Sequence, residues 1–317
     1  MFAANALFLL AAAGLVLLGL FSAPILRGMY ALFPSLSAEA AMLLFNALYY
    51  LLFMAIPVWL YSRRRPECLP ALRLNPLSFR ATVVLVLTAF AGVMVVTVLS
   101  YFWTLLLEWL GCDTSYAQMT IPTSTRGLTL YVFSSCVLPG ICEEFLFRGM
   151  ILSAWERRGG RKAMLYSAAL FMLLHGSVQG IPSQLLLGMV IAFLVTACDS
   201  IYAGMIYHTA HNAIVLLINF AMLRFNSISG EMLQESAAMQ ADISEMAMLA
   251  LEFFYQFGLF AALMYLFKHR MTRRNVSLAQ DTGVKTSAAE LVVLLSGIVT
   301  TLVLYAEDIL LMLGILS

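Results

Sequence analysis

Long apolar runs dominate the chain, and short polar breaks separate them. A helix of about 20 apolar residues crosses a bilayer, so each run predicts a membrane span. The runs lie at 5–25, 39–61, 81–110, 127–155, 163–177, 182–198, 201–222, 247–267 and 288–313. The predicted fold class is therefore all-α, a polytopic transmembrane helix bundle with about 8–9 spans.

Two breaks in this pattern need separate interpretation. The first run has no basic residue before it, which favours a retained span over a cleaved signal peptide. The runs at 163–177 and 182–198 are short, and the break 175–182 between them contains two glycines. We expect a turn inside the membrane there, which is tolerated only where protein or a water-filled cavity covers the backbone.

The composition excludes a soluble or disordered chain. Of the 317 residues, 62% are hydrophobic and 11% are charged, whereas soluble domains have about 45–50% apolar and about 25% charged residues. The formal net charge of +1 gives no sign of a nucleic-acid partner, and we expect membrane lipids as partners instead. The five cysteines show no paired spacing, so neither a disulfide framework nor a Cys-rich zinc site is predicted.

Basic residues predict the orientation of the bundle. Most of the 18 lysines and arginines lie in the breaks 62–80, 156–162 and 268–287. With nine alternating spans, all three breaks fall on one side of the membrane, and the excess of positive charge assigns that side to the cytoplasm. The prediction is a multi-pass protein of the cell membrane with these three loops inside.

Ionisable side chains interrupt the run at 127–155. A charged group in the bilayer costs roughly 2.5–3.5 kcal/mol on insertion scales, so each one needs a reason. Glu144 and Arg148 are four residues apart and can form an ion pair on one helix face. Glu143 is rotated by about 100° from Glu144 and has no local partner. We therefore interpret Glu143 as the functional carboxylate and the Glu144–Arg148 pair as its structural support.

Two later runs contribute histidines. His175 ends the run at 163–177, and His208 shares a helix face with Asn212 four residues later. His211 lies at the edge of that face. At a rise of 1.5 Å per residue, Glu143 and these polar residues come to similar depths in the membrane. Since unrelated structural residues have no reason to converge, the sequence predicts one shared site.

Several chemistries fit such a site. A glutamate and a histidine can share a water and remove its proton, while His208 and Asn212 can donate hydrogen bonds to a developing oxyanion; together these groups hydrolyse a peptide or an ester. A glutamate with two histidines can also hold zinc, which leaves a metal-dependent hydrolase as an alternative. A buried polar cluster also suits an ion pathway in a transporter or a non-catalytic scaffold or immunity protein, although no internal repeats support a transporter.

At these positions the sequence resembles the CAAX protease and bacteriocin-processing family, also called the Abi family. Its members are intramembrane glutamate-dependent endopeptidases. The three motifs that carry the resemblance, in order, read Glu143-Glu144-x-x-x-Arg148, Phe171-x-x-x-His175 and His208-x-x-x-Asn212. The resemblance divides the chain into N-terminal transmembrane helices at 1–126, a catalytic protease core at 127–222 and C-terminal transmembrane helices at 223–317.

The resemblance implies a role for each of four residues. Glu143 would be the general base, and His175 would help to hold and activate the water. His208 and Asn212 would form the oxyanion site. No cofactor is implied by the glutamate mechanism, and zinc remains the alternative, although Asn212 would be a poor ligand for it.

Glu144 and Arg148 would support the helix that carries the base, while His211 lies outside the family pattern. The expected substrate is a membrane-associated or lipidated protein or peptide. The resemblance leaves open whether this is a prenylated CAAX protein, a peptide leader, an anti-sigma factor or a molecule linked to bacteriocin self-immunity.

Overall fold

The chain is built from helices throughout its described part. The structure is a computed structural model that describes residues 1–115, 121–122, 124–229, 243–271 and 282–315, and no strand occurs among them. The helices are α1 (Phe2–Leu20), α2 (Ser22–Leu32), α3 (Ala38–Arg64), α4 (Phe79–Trp109), α5 (Thr125–Trp155), α6 (Gly160–Leu174), α7 (Ile181–Cys198), α8 (Ile201–Ser229), α9 (Ile243–Leu266) and α10 (Ala288–Met312). The predicted all-α fold class is confirmed.

Seven of these helices are long and apolar enough to cross a membrane, counting only the described residues. They are α1, α3, α4, α5, α7, α8 and α10. Helix α6 has 15 residues, which gives it a length of about 22 Å. By helix composition the chain is a multi-pass membrane protein, and the count is close to the 8–9 spans predicted.

The first predicted span, 5–25, is wrong at its end. Helix α1 stops at Leu20, and the separate helix α2, which the hydrophobic pattern did not predict, begins at Ser22. Pro24 explains the break, because proline has no N–H to donate and its ring clashes with the carbonyl four residues earlier, here that of Leu20. The predicted turn at 175–182 is present, between the end of α6 and the start of α7.

Helix α5 departs from regular α-helical geometry on both sides of its two glutamates. Phe133–Val137 and Phe145–Leu152 form π-helical turns, and the α-helical segment Leu138–Glu144 lies between them. Pro139 stands near the start of that segment, and it cannot donate to the carbonyl of Ser135 four residues earlier. A widened turn accommodates this missing hydrogen bond. Such turns occur frequently at functional sites.

Helix α5 lies at the centre of the bundle and packs against α1, α3, α6 and α8. Small residues allow the closest approaches: a Cβ on Gly140 would collide with the side chain of Thr209 on α8. A Cβ on Gly204, also on α8, would lie 2.6 Å from Oε2 of Glu144. Glycines at these positions let α8 approach the charged segment of α5 directly.

Contacts between loops bring the three basic breaks to one end of the bundle. Arg73 Nη2 bonds to Glu156 Oε1 at 2.6 Å, which joins the loop 62–80 to the loop 156–162. The Thr282 N–H donates to the carbonyl of Arg157 at 3.0 Å, which joins the described end of the loop 268–287 to the same place. Residues 272–281 of that loop lie outside the described residues. The common end is what the predicted topology requires.

Candidate active site

The candidate site contains a buried ion pair. Arg148 Nη1 lies 3.0 Å from Glu144 Oε1, and both side chains are fully buried. Arg148 also donates through Nη2 to the carbonyl of Gly188 on α7, at 2.9 Å. The same Glu144 oxygen lies 3.0 Å from Nδ1 of His208 on α8. The pair expected from the spacing is therefore present, and it also fixes one nitrogen of a predicted catalytic histidine.

Phe171 connects the three motifs at one point. The guanidinium carbon of Arg148 lies 4.7 Å from the centre of its ring, a distance suited to a cation–π contact. The ring centroids of His175 and His208 lie 4.7 Å and 5.6 Å from that of Phe171. Because Phe171 is on α6, Arg148 on α5 and His208 on α8, this ring lies where the three helices meet.

The end of α6 determines the tautomer of His175. Nδ1 of His175 lies 2.8 Å from the carbonyl oxygen of Phe171. A carbonyl only accepts hydrogen bonds, so Nδ1 carries the proton and the neutral ring has its acceptor at Nε2. His175 can thus accept a proton or hold a water through Nε2 alone.

Glu143 is buried, with 5% of its surface exposed, and it interacts with a helix that the sequence analysis did not connect to the site. The hydroxyl of Tyr50, at the start of the π-helical turn Tyr50–Ala55 in α3, donates to Glu143 Oε1 at 3.2 Å. Glu143 Oε2 is buried and has no hydrogen-bond partner among the described residues. One oxygen is therefore held by Tyr50, and the other, like Oε2 of Glu144, has no hydrogen-bond partner among the described residues.

Asn212 is oriented by the irregular backbone of α5. Its Nδ2 donates to the carbonyl of Ser135 at 3.2 Å, the carbonyl that Pro139 cannot satisfy within the helix. An amide nitrogen carries two hydrogens, so a second donor remains on Asn212. The sequence offered a signal here, because a proline inside an apolar helix marks a carbonyl in need of another donor.

The predicted residues occur in one region, but not as a single hydrogen-bonded cluster. Within the described part of the chain, Glu143 makes no hydrogen bond to His175, His208 or Asn212. His211 is 4% exposed and stacks on Tyr207, with ring centroids 6.2 Å apart. The histidine contacts pass through Glu144 and Phe171, so the carboxylate assigned to support is the one that binds His208.

Metal ligands do not gather in the described part of the chain. No group of three or more His, Cys, Asp or Glu side chains is placed to hold a metal ion there. The zinc alternative, which needs three protein ligands and an open position, has no such set among these residues. All five cysteines are free, and Cys142 beside Glu143 is buried.

Comparison with known families matches this region. Residues 125–214 match the family model described as type II CAAX prenyl endopeptidase, Rce1-like. The chain carries an Rce1-like domain. No curated protein and no solved structure shows a significant match to the chain. The Rce1-like domain spans α5, α6, α7 and the first half of α8, and it includes all three motifs. The resemblance to the CAAX protease family is confirmed, while the boundaries 1–126, 127–222 and 223–317 stay a prediction.

Tyr50 lies outside the Rce1-like domain, and its replacement tests whether it supports Glu143. If the site cleaves peptides with Glu143 as the base, we expect Tyr50→Phe to lower kcat about tenfold. A hydrogen bond to a charged group is worth at least about 1.5 kcal/mol, and each 1.4 kcal/mol of barrier changes a rate about tenfold. Steady-state kinetics with the native chain as reference measure the effect. Tyr49→Phe is the matched control, because the Tyr49 hydroxyl bonds to the carbonyl of Ala11 instead; equal losses in both variants would remove the role of Tyr50.

Proposed function

We propose that the chain is an intramembrane glutamate-dependent endopeptidase. The observation that supports this most directly is the carboxylate of Glu143, with Oε1 held by Tyr50 and Oε2 buried without a partner among the described residues. In the proposed reaction Oε2 accepts a proton from a water molecule, and the resulting hydroxide attacks the carbonyl carbon of a peptide bond. His175 assists through Nε2, the nitrogen that its bond to Phe171 leaves as an acceptor.

The attack places negative charge on the former carbonyl oxygen, which the proposal assigns to His208 and Asn212. Asn212 would donate its second Nδ2 hydrogen, the first being used by Ser135. His208 donates Nδ1–H to Glu144, so a donor at Nε2 requires the doubly protonated ring, with Glu144 as its counter-ion. Preorganised donors of this kind contribute strongly to catalysis because they need no rearrangement when charge develops. The proton taken up by Glu143 passes to the leaving amine.

A lipidated substrate fits a groove of about 600 Å³ between the second half of α3 and the segment 69–74. Its walls are mostly apolar and include Ile56, Trp59 and Leu72, and Phe145, which follows Glu144 directly in the chain, lines it from α5. Pockets for small ligands commonly have volumes of about 300–1,000 Å³, and an apolar wall suits a hydrocarbon chain. We propose a prenylated protein or peptide as the substrate, in agreement with the family description that matches the domain.

The orientation is part of the proposal. The loops 62–80 and 268–287 each contact the loop 156–162 at one end of the bundle, and the basic residues of the three loops assign that end to the cytoplasm. The chain would then lie in the cell membrane and meet substrates made in the cytoplasm. Membrane lipids surround it, and no nucleic acid takes part.

Reconstitution of the full chain in phospholipid vesicles tests the proposed activity. The probe is a fluorescence-quenched peptide that ends in a CAAX sequence with a farnesylated cysteine, and the same peptide without the farnesyl group is its control. We expect cleavage of the farnesylated peptide at an initial rate about tenfold or more above that of the control, as burial of a hydrocarbon chain gains about 0.8 kcal/mol per CH₂. Mass spectrometry of the products locates the bond that is cut.

Two results would contradict parts of this proposal. Equal cleavage of both peptides would support the proposed endopeptidase activity but contradict the proposed specificity for a prenyl group. If folded protein cleaved neither peptide, the proposed activity on CAAX peptides would be contradicted. In both cases, gel filtration in mild detergent establishes that the protein is folded before the comparison is made.

A further inference from the structure

The turn that follows His175 is held by helix α10, which lies outside the Rce1-like domain. The hydroxyl of Tyr305 donates to the carbonyl of Met172, in the last turn of α6, at 3.0 Å. The backbone N–H of Val178 donates to Asp308 Oδ2 at 2.6 Å. Two side chains one helical turn apart on α10 thus form hydrogen bonds with the backbone before and after His175.

The backbone between these two points is sharply bent. Gly176, two residues after the end of α6, has φ = +61°, a conformation that residues other than glycine rarely adopt. A Cβ at this position would also collide with the side chain of Leu304. On the opposite side, Trp103 on α4 donates through Nε1 to the carbonyl of Val178 at 2.8 Å. The turn is therefore fixed between α10 and α4.

The orientation of the His175 ring depends on this fixed turn. The last four carbonyls of a helix have no partner within the helix, and in α6 these include those of Phe171 and Met172. The first receives Nδ1 of His175, and the second receives both the backbone N–H of His175 and the Tyr305 hydroxyl. If the end of α6 shifts, the direction of Nε2 shifts with it.

We propose that Asp308 and Tyr305 are positioning residues for His175. Neither is assigned to touch substrate. Asp308 fixes the turn through Val178, Tyr305 fixes the last turn of α6, and together they aim Nε2 of His175 at the water that Glu143 deprotonates. The inference rests on the proposed function, and it assigns the C-terminal helix a role in the active site.

Kinetics of variants in α10 test the assignment in vesicles with the farnesylated peptide. We expect Asp308→Ala to lower kcat about 10- to 100-fold, because a misplacement of about 1 Å can cost a reaction about 10²-fold, and to leave KM within about threefold. Asp308→Asn keeps an oxygen acceptor for Val178, so it should recover most of the loss. Glu307→Ala is the matched control, because Glu307 is an exposed acid on the same helix, and it should match the native rate.

A second measurement does not depend on activity. The chain has only four histidines, so an NMR spectrum with labelled histidine side chains resolves few signals, and His175→Gln assigns the one of interest. We expect Asp308→Ala and Tyr305→Phe to shift the His175 signal and leave that of His208 in place. Glu307→Ala should move neither.

The outcomes separate this inference from the proposed function. A native chain without peptidase activity would contradict the proposed function, while a His175 signal that moves in Asp308→Ala would still support the positioning. Native kcat in Asp308→Ala, or an unmoved His175 signal in a folded variant, would overturn the positioning. A variant that fails to fold is replaced by Tyr305→Phe, which removes one hydroxyl only, and the same criteria apply to it.

Discussion

Glu143→Gln is expected to reduce cleavage of the farnesylated peptide by about 10²–10⁴-fold, the usual contribution of a general base. Glutamine has nearly the same shape as glutamate, and its Oε1 still accepts the hydrogen bond from Tyr50. An amide nitrogen replaces Oε2, and this nitrogen cannot take a proton from water. The base is lost while the packing around it is kept. Initial rates in vesicles at matched protein amounts measure the effect.

Two comparisons make this result specific. Glu67→Gln is the control, since Glu67 is a carboxylate on the surface whose side chain is 65% exposed, and it should retain the native rate. The thermal unfolding midpoint of Glu143→Gln in detergent should stay close to that of the native chain. Cleavage at the native rate by Glu143→Gln would show that another group is the base, and Glu144 would then be the nearest carboxylate to examine.

Arg148→Met should destabilise the protein by about 3–5 kcal/mol, the usual cost of removing one partner of a buried ion pair. Arg148 and Glu144 are both fully buried, so the variant leaves a carboxylate without its main counter-charge. The contact with Phe171 and the hydrogen bond to the carbonyl of Gly188 are lost as well. The free energy of unfolding, from denaturant titration of the protein in micelles, measures the change.

A double variant separates charge from packing. Glu144→Gln together with Arg148→Met removes both charges, so we expect it to recover a substantial part of the stability lost in Arg148→Met. His208 would then lose its carboxylate partner, and peptidase activity should stay low even where folding recovers. If the single and double variants were equally unstable, packing around Phe171 rather than the buried charge would be the main contribution of Arg148.

Local spacing was sufficient to predict two features of the α5 segment that carries the glutamates. The distance of four residues between Glu144 and Arg148 predicted their ion pair, and the structure contains it. The rotation of about 100° between adjacent residues predicted that Glu143 would have no local partner, and its partner Tyr50 is 93 positions away in the chain. Apolar length alone predicted the helix bundle, since each span must satisfy its own backbone hydrogen bonds in lipid.

Contacts between helices that are distant in the chain could not be predicted from the sequence. Tyr50 and Asp308 lie in apolar runs. The hydrophobic pattern of such a run gives no information about which residue, about a hundred positions away, a tyrosine or an aspartate will contact. The bond between His208 and Glu144 was missed for another reason. The pattern assigned His208 to a pair with Asn212 because both share a helix face, whereas the close approach of α8 at Gly204 brings His208 to α5.

The π-helical turns on either side of the Leu138–Glu144 segment have a consequence for chain length. Each such turn contains one residue more than an α-helical turn. Shortening α5 by one residue there would convert the wide turn into an ordinary one without unravelling the helix. The two ends of α5 would then rotate by about 100° relative to each other. The side of α5 on which Glu143 meets Tyr50 is therefore set by how many residues the helix contains as well as by which residues they are.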